Sequence, residues 1–142
     1  IGVAGALRVG KEKVAKYKEK IREITRRKRS RRLGETIEEL NAYIRGWGNY
    51  YKLAALKDKA IELDGWVRRK LRVIKLKQSK RVYTIASFLR DEGVREDHAF
   101  MVAGSGKGWW RLSKTGESHL AMGKEWFRKL GLVSLQNVVC NG

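Results

Sequence analysis

TIEELNAYIRGWGNYY, residues 36–51, repeats its apolar side chains at Ile37, Leu40, Ile44, Trp47 and Tyr51. Steps of three and four put these on one stripe of an α-helix, with Tyr43 and Tyr50 on its flank. Thr36-Ile37-Glu38-Glu39 reads as a capping box, in which the Thr hydroxyl and the Glu carboxylate each satisfy a free N–H at a helix start. A helix is therefore expected to begin at Thr36. Gly46 and Gly48 bracket Trp47, although a glycine costs a helix interior about 1 kcal/mol relative to alanine. The simplest reason is close approach of a neighbouring helix.

The same period extends to both sides. KEKVAKYKEKIREITRRKR, residues 11–29, carries Val14, Tyr17, Ile21 and Ile24 on one stripe, with charge on nearly every other position. Residues 28–34 lose the stripe and end in Gly34, so a basic loop follows. A third helix is expected over residues 58–77, capped by Asp58, with Ile61, Leu63, Trp66, Val67, Leu71 and Ile74 inward. Beyond residue 81 the pieces shorten. Helices are expected over 83–92, ending at Gly93, and over 95–103. The flexible Gly104-Ser105-Gly106-Lys107-Gly108 leads into Trp109-Trp110-Arg111-Leu112. Ser113 or Thr115 can cap a last helix that runs to about Leu130 and stops at Gly131. With no proline anywhere to break helices, the fold class is all-α: a three-helix bundle followed by a smaller helical subdomain. Residues 1–10 read as a connector, 11–80 as the bundle and 81–142 as the extension.

The 142 residues hold 33 Lys or Arg against 15 Asp or Glu, a net charge of +18, with 42% hydrophobic residues. That is enough apolar content for a packed core, and the aromatic content argues against disorder. The charge is segregated. Residues 11–32 carry +9, residues 33–65 carry −2, and residues 66–81 carry +8 with no acid among them, so two tracts supply 17 of the 18. A surface that neutralises phosphates needs such tracts.

Other chemistries fit poorly. One cysteine, Cys140, and two histidines, His98 and His119, do not supply a closed zinc site or a disulfide framework. The Gly104–Gly108 stretch lacks the spacing of a phosphate-binding Walker loop, and the acids at Asp91, Glu92, Glu96 and Asp97 do not form a catalytic cluster. No catalytic residue, metal ligand or cofactor site is expected in these residues. No apolar run reaches the roughly 20 residues of a membrane span, so no membrane partner is expected. A cytoplasmic location follows, in a bacterial cytoplasm or an organelle matrix. The first residue is Ile rather than Met, which suggests a piece of a longer polypeptide. Stacking on unpaired bases is a common use of Trp and Tyr. Trp47 and Trp66 nevertheless lie on inward stripes and are expected in the core, whereas Tyr50 and Trp110 have aromatic neighbours that can take the buried place.

Two clusters are expected to contact phosphate: Arg26, Arg27, Lys28, Arg29, Arg31 and Arg32, and then Arg68, Arg69, Arg72, Lys75, Lys77, Lys80 and Arg81. Charge alone leaves RNA, double-stranded DNA as in a recombinase or mobile-element protein, and RNA packaging of the ribosomal type all open.

Specific residues narrow the choice. Lys16-Tyr17-Lys18-Glu19-Lys20-Ile21-Arg22-Glu23-Ile24-Thr25-Arg26-Arg27, Glu38-Glu39-Leu40-Asn41, Ile44-Arg45-Gly46-Trp47-Gly48-Asn49-Tyr50-Tyr51 and Leu63-Asp64-Gly65-Trp66-Val67-Arg68-Arg69-Lys70-Leu71-Arg72 resemble, in order and spacing, the maturase-specific domain of group II intron-encoded reverse transcriptases. Gly108-Trp109-Trp110-Arg111-Leu112-Ser113 and Gly131-Leu132-Val133-Ser134-Leu135 resemble the segment that follows it. Ala42 stands where a proline is common, and Gln78-Ser79-Lys80 lacks a tryptophan often found there. The resemblance implies a thumb, or domain X, followed by a DNA-binding region. It also implies intron RNA as partner, with splicing assistance as the role, and target DNA and an RNA/DNA template–primer as further partners during intron mobility. The polymerase palm, with its magnesium site, would precede Ile1 in the parent chain.

Overall fold

The computed structural model describes residues 10–26, 32–52, 57–79, 81–104 and 108–140, and these are helical throughout apart from turns. The helices are α1 (Lys11–Arg26), α2 (Leu33–Tyr51), α3 (Lys57–Ser79), α4 (Val82–Asp91), α5 (Glu96–Ala103), α6 (Trp109–Leu112), α7 (Gly116–Ala121), α8 (Lys124–Lys129) and α9 (Leu135–Cys140). The chain is all-α, as its periodicity requires. In space, residues up to Val67 and those from Gly131 onward form one compact unit, and Arg68–Leu130 forms the other, so one division falls inside α3.

In the first unit α1 packs on α2, and so does α9. Tyr17, Ile21 and Ile24 of the α1 stripe are buried; Val14 is half-buried. Ile37, Leu40, Ile44 and Trp47 of α2 and Ala60, Leu63 and Val67 of α3 are buried in the same unit. Each large apolar side chain removed from water stabilises the unit by about 1.5–3 kcal/mol. An aromatic cluster reinforces it. The Tyr17 ring lies 4.7 Å from Trp47 and 5.6 Å from Tyr43, and Trp47 lies 4.6 Å from Tyr51. Burial, then the Asp64 carboxylate and Tyr43, push the Tyr17 phenol well above its ordinary range, so it stays neutral.

Two expectations about helix detail change here. α2 begins at Leu33 rather than Thr36, with Arg32 as an extended N-cap residue that makes no side-chain cap. The Arg32 carbonyl instead accepts from the N–H groups of Glu35 and Thr36, at 3.0 and 3.2 Å. Thr36 is buried inside the helix, where its first role is packing. In α3 the inward stripe runs through Ala60, Leu63, Asp64, Val67 and Leu71, so Ile61, one position off, is 42% exposed, and Trp66 and Ile74 are half-buried.

The C-terminal segment closes this unit, and α9, which periodicity did not announce, is held by residues of the Gly-Trp-Gly region and its surroundings. An added Cβ at Gly48 would lie 2.6 Å from Val138 Cγ1 and 3.1 Å from Leu135 Cδ1, so α9 sits where only hydrogen fits. Gly46 has open space, so the expected close approach applies to Gly48 alone. Asn41 donates from Nδ2 to the Gly131 carbonyl at 2.8 Å and accepts from the Val133 N–H at 2.7 Å. The buried Asp64 carboxylate accepts from Ser134 Oγ, Leu135 N and Gln136 N, at 2.8, 2.8 and 3.0 Å. An acid that accepts three such bonds at a helix start has both its desolvation and the helix's free donors answered.

In the second unit α4 packs chiefly on α5, and α7 touches both. Ile85, Ala86, Leu89, Val94, Ala99, Val102, Leu112, Met122 and Phe127 form its core. α4 stops where expected. Gly93 takes φ +104°, its N–H bonds the Arg90 carbonyl, and the Val94 N–H bonds the Leu89 carbonyl, both at 3.0 Å. This pattern satisfies the last carbonyls of a helix and requires glycine at the left-handed position. The last helix expected over 115–130 is two helices. Thr115 does cap α7, accepting from the Ser118 N–H at 3.2 Å, but the chain turns at Met122 and Gly123 before α8. A Cβ at Gly123 would press on the His119 carbonyl at 3.2 Å.

Candidate nucleic-acid interface

The described part of the first basic tract lies mostly on α1, and that of the second mostly on α3. In the first cluster Arg26 and Arg32 are exposed; Arg26 Nη2 lies 4.0 Å from Glu19 Oε1, a surface pairing worth little. Arg27, Lys28, Arg29 and Arg31 lie outside the described residues. Lys18 and Arg22, which the sequence reading did not single out, place their cationic ends 5.5 and 5.4 Å from the Trp66 ring. Trp66 is thus a half-buried ring beside two cations.

In the second cluster neighbouring residues do very different things. Lys77 and Arg81 are exposed, and Lys75 Nζ lies 4.7 Å from the Phe88 ring centre. Lys80 lies outside the described residues. Arg69 sits with its guanidinium carbon 3.7 Å from the Trp110 ring centre, while Nη2 donates to the Trp110 carbonyl at 2.9 Å and Nε to Ser113 Oγ at 3.3 Å. Lys70 Nζ lies 5.3 Å from the same ring. Ser113 Oγ in turn donates to the Trp110 carbonyl. A guanidinium on an indole face gains from the ring quadrupole and loses little hydration.

Arg72 differs from all of these. It is 3% exposed, donates from Nε to the Met122 carbonyl at 2.8 Å and lies 5.6 Å from the Phe127 ring. Burial, with Arg68 and Arg69 adding to it, pushes its pKa down to about 10. A guanidinium so enclosed supports the unit from within, so its expected place on a phosphate-facing surface is not the one it occupies. The sequence offered no sign of this, because Arg68, Arg69 and Arg72 look alike until the 122 carbonyl is in place.

His119 on α7 was not among the expected site residues. Its pKa is lowered by burial and then by the nearby Arg72, Arg68 and Arg69. Tyr50 is exposed, with Trp47 and Tyr51 taking the inner places, and Trp110 keeps 41% of its surface in solvent. Among the described residues no three His, Cys, Asp or Glu side chains are grouped to share a metal ion, and no helix is long and apolar enough to cross a membrane.

The fold and the site thus define an all-α chain with a basic face on its longest helix. The family model of the group II intron maturase-specific domain matches residues 14–91, more than half of the chain, and the chain belongs to that family. A search of curated proteins returned no match.

Proposed function

We propose that this maturase module binds group II intron RNA through the polar faces of α1 and α3 and so helps the RNA reach its splicing-active form. In the parent reverse transcriptase it acts as the thumb that grips the template–primer, with target DNA as a partner during intron mobility. The observation that carries this reading is the stretch 66–81, with eight basic residues and no acid, of which residues 66–79 lie on α3. Counterion release from phosphates drives association at such a surface. The contacting set proposed is Arg26, Arg27, Lys28, Arg29, Arg31, Arg32, Arg68, Lys75, Lys77, Lys80 and Arg81. Arg69 serves through its stack with Trp110, and Arg72 serves as an internal support.

Competition tests the reading. At moderate salt the chain should prefer its folded intron RNA over duplex DNA and bulk tRNA. Equal affinity for all three would overturn it, and a preference for duplex DNA would favour the recombinase-like alternative.

A further inference from the structure

Trp110 stands out among the tryptophans whose side chains the structure describes. Trp47 is 9% exposed in the core, whereas Trp110, on the short helix α6, stays 41% exposed. The ring is also fixed. Arg69 covers it, bonds the carbonyl of the same residue and bonds Ser113, so α6 is clipped to α3 within the unit. Lys70, the next residue of α3, places its Nζ 5.3 Å from the ring centre.

A flat aromatic surface held rigid among cations has a matching ligand: a flat aromatic ring that carries an anion. We infer that Trp110 is the stacking platform for an unpaired nucleotide, its base on the indole face that Arg69 does not cover and a flanking phosphate met by Lys70. Duplex bases are covered by their neighbours, so the ligand is a single strand, a bulge or a frayed end. The proposal rests on the nucleic-acid reading above and names the chemical class that this face of the unit takes. Arg69 is the positioning residue, because its cation and its bonds hold the ring flat toward the ligand.

The test uses the intact chain and three 12-nucleotide probes: oligouridylate, oligothymidylate and an abasic phosphodiester strand. Stacking on one base is worth a factor of about ten, so oligouridylate should bind about tenfold tighter than the abasic strand. Trp110→Leu should abolish that ratio, and Trp110→Phe should keep most of it. The same ratio with oligothymidylate would show that the base alone is read; a ratio confined to oligouridylate would add the ribose hydroxyl to the recognised chemistry. Photocrosslinking of a 5-iodouridine strand, mapped by mass spectrometry, should label Trp110 in the unaltered protein. No base-dependent gain, a full gain in Trp110→Leu, or no label at Trp110 would each overturn the proposal and leave the stack as a clip between α6 and α3. A chain that shows the base-dependent gain without preferring intron RNA would instead retain this site and lose the specific function proposed above.

Discussion

α3 buries one acid and one base, eight positions apart, and the two show opposite solutions to one problem. Asp64, in the first unit, accepts three hydrogen bonds at the start of α9. Arg72, in the second, gives one to the carbonyl of Met122, the residue that ends α7. Each charge matches the partial charge of the helix end that it meets. The lesson is that a charge total describes a surface only after the inward charges have been removed from it. Asp64 lies in a stretch of sequence that looks neutral and structural; Arg72 lies in one that looks wholly electrostatic, yet both are internal.

Removing the acid should have the larger effect. Asp64→Ala leaves three donors without their acceptor, which should cost about 3–5 kcal/mol in a urea titration. Asp64→Asn, which retains acceptors for part of the set, should cost less. Gly48→Ala breaks the same cradle by steric means, since the Val138 side chain is branched at Cβ and cannot swing clear. A loss of about 1–3 kcal/mol is expected. An unchanged midpoint would mean that α9 does not dock there in solution.

Arg72→Met tests the base. The Met122 carbonyl loses its donor while the apolar stem is kept, so about 1–3 kcal/mol should go. RNA affinity should stay constant wherever the variant is folded. A clear loss of affinity in folded Arg72→Met would return Arg72 to the phosphate-contacting set.

The smallest effect expected is on pH dependence. The folded-state pKa of His119 lies below its ordinary 6.5 because of burial and of Arg72, Arg68 and Arg69 on α3. The unfolded chain therefore binds the proton more readily, and stability should fall as pH drops through 6.5 toward the folded value, with no effect well above it. Urea midpoints at pH 7.5 and 5.5 should differ less for His119→Gln than for the unaltered chain.

Much of this was legible locally. The α1 stripe and the stop of α4 at Gly93 follow from spacing and from glycine's freedom at positive φ. The need for a small residue at Gly48 was legible too, but its neighbour was not, because Val138 lies 90 positions away and no local period announces α9. Arg72 and Asp64 were illegible for the same reason: their partners lie 50 and about 70 residues along the chain. Ile61 was placed inward because it is apolar, and the observed stripe through Ala60 shows that position on the helix outranked hydropathy there. Arg69 could be read as basic, but only the fold brings it over Trp110.

The central claim is that exposed cations at the end of the second basic tract meet RNA phosphates while Arg72 does not. The salt dependence of intron-RNA affinity tests it most directly, measured for the unaltered chain, for the double variant Lys77→Gln, Arg81→Gln, and for Arg72→Met. With roughly 6–10 phosphate contacts the slope of log affinity against log salt should be about −5 to −9, and the double variant should flatten it by about 1.5 with its melting unchanged. Arg72→Met should leave the slope as it was. A slope near zero, or one that Arg72→Met flattens and the double variant does not, would contradict the account.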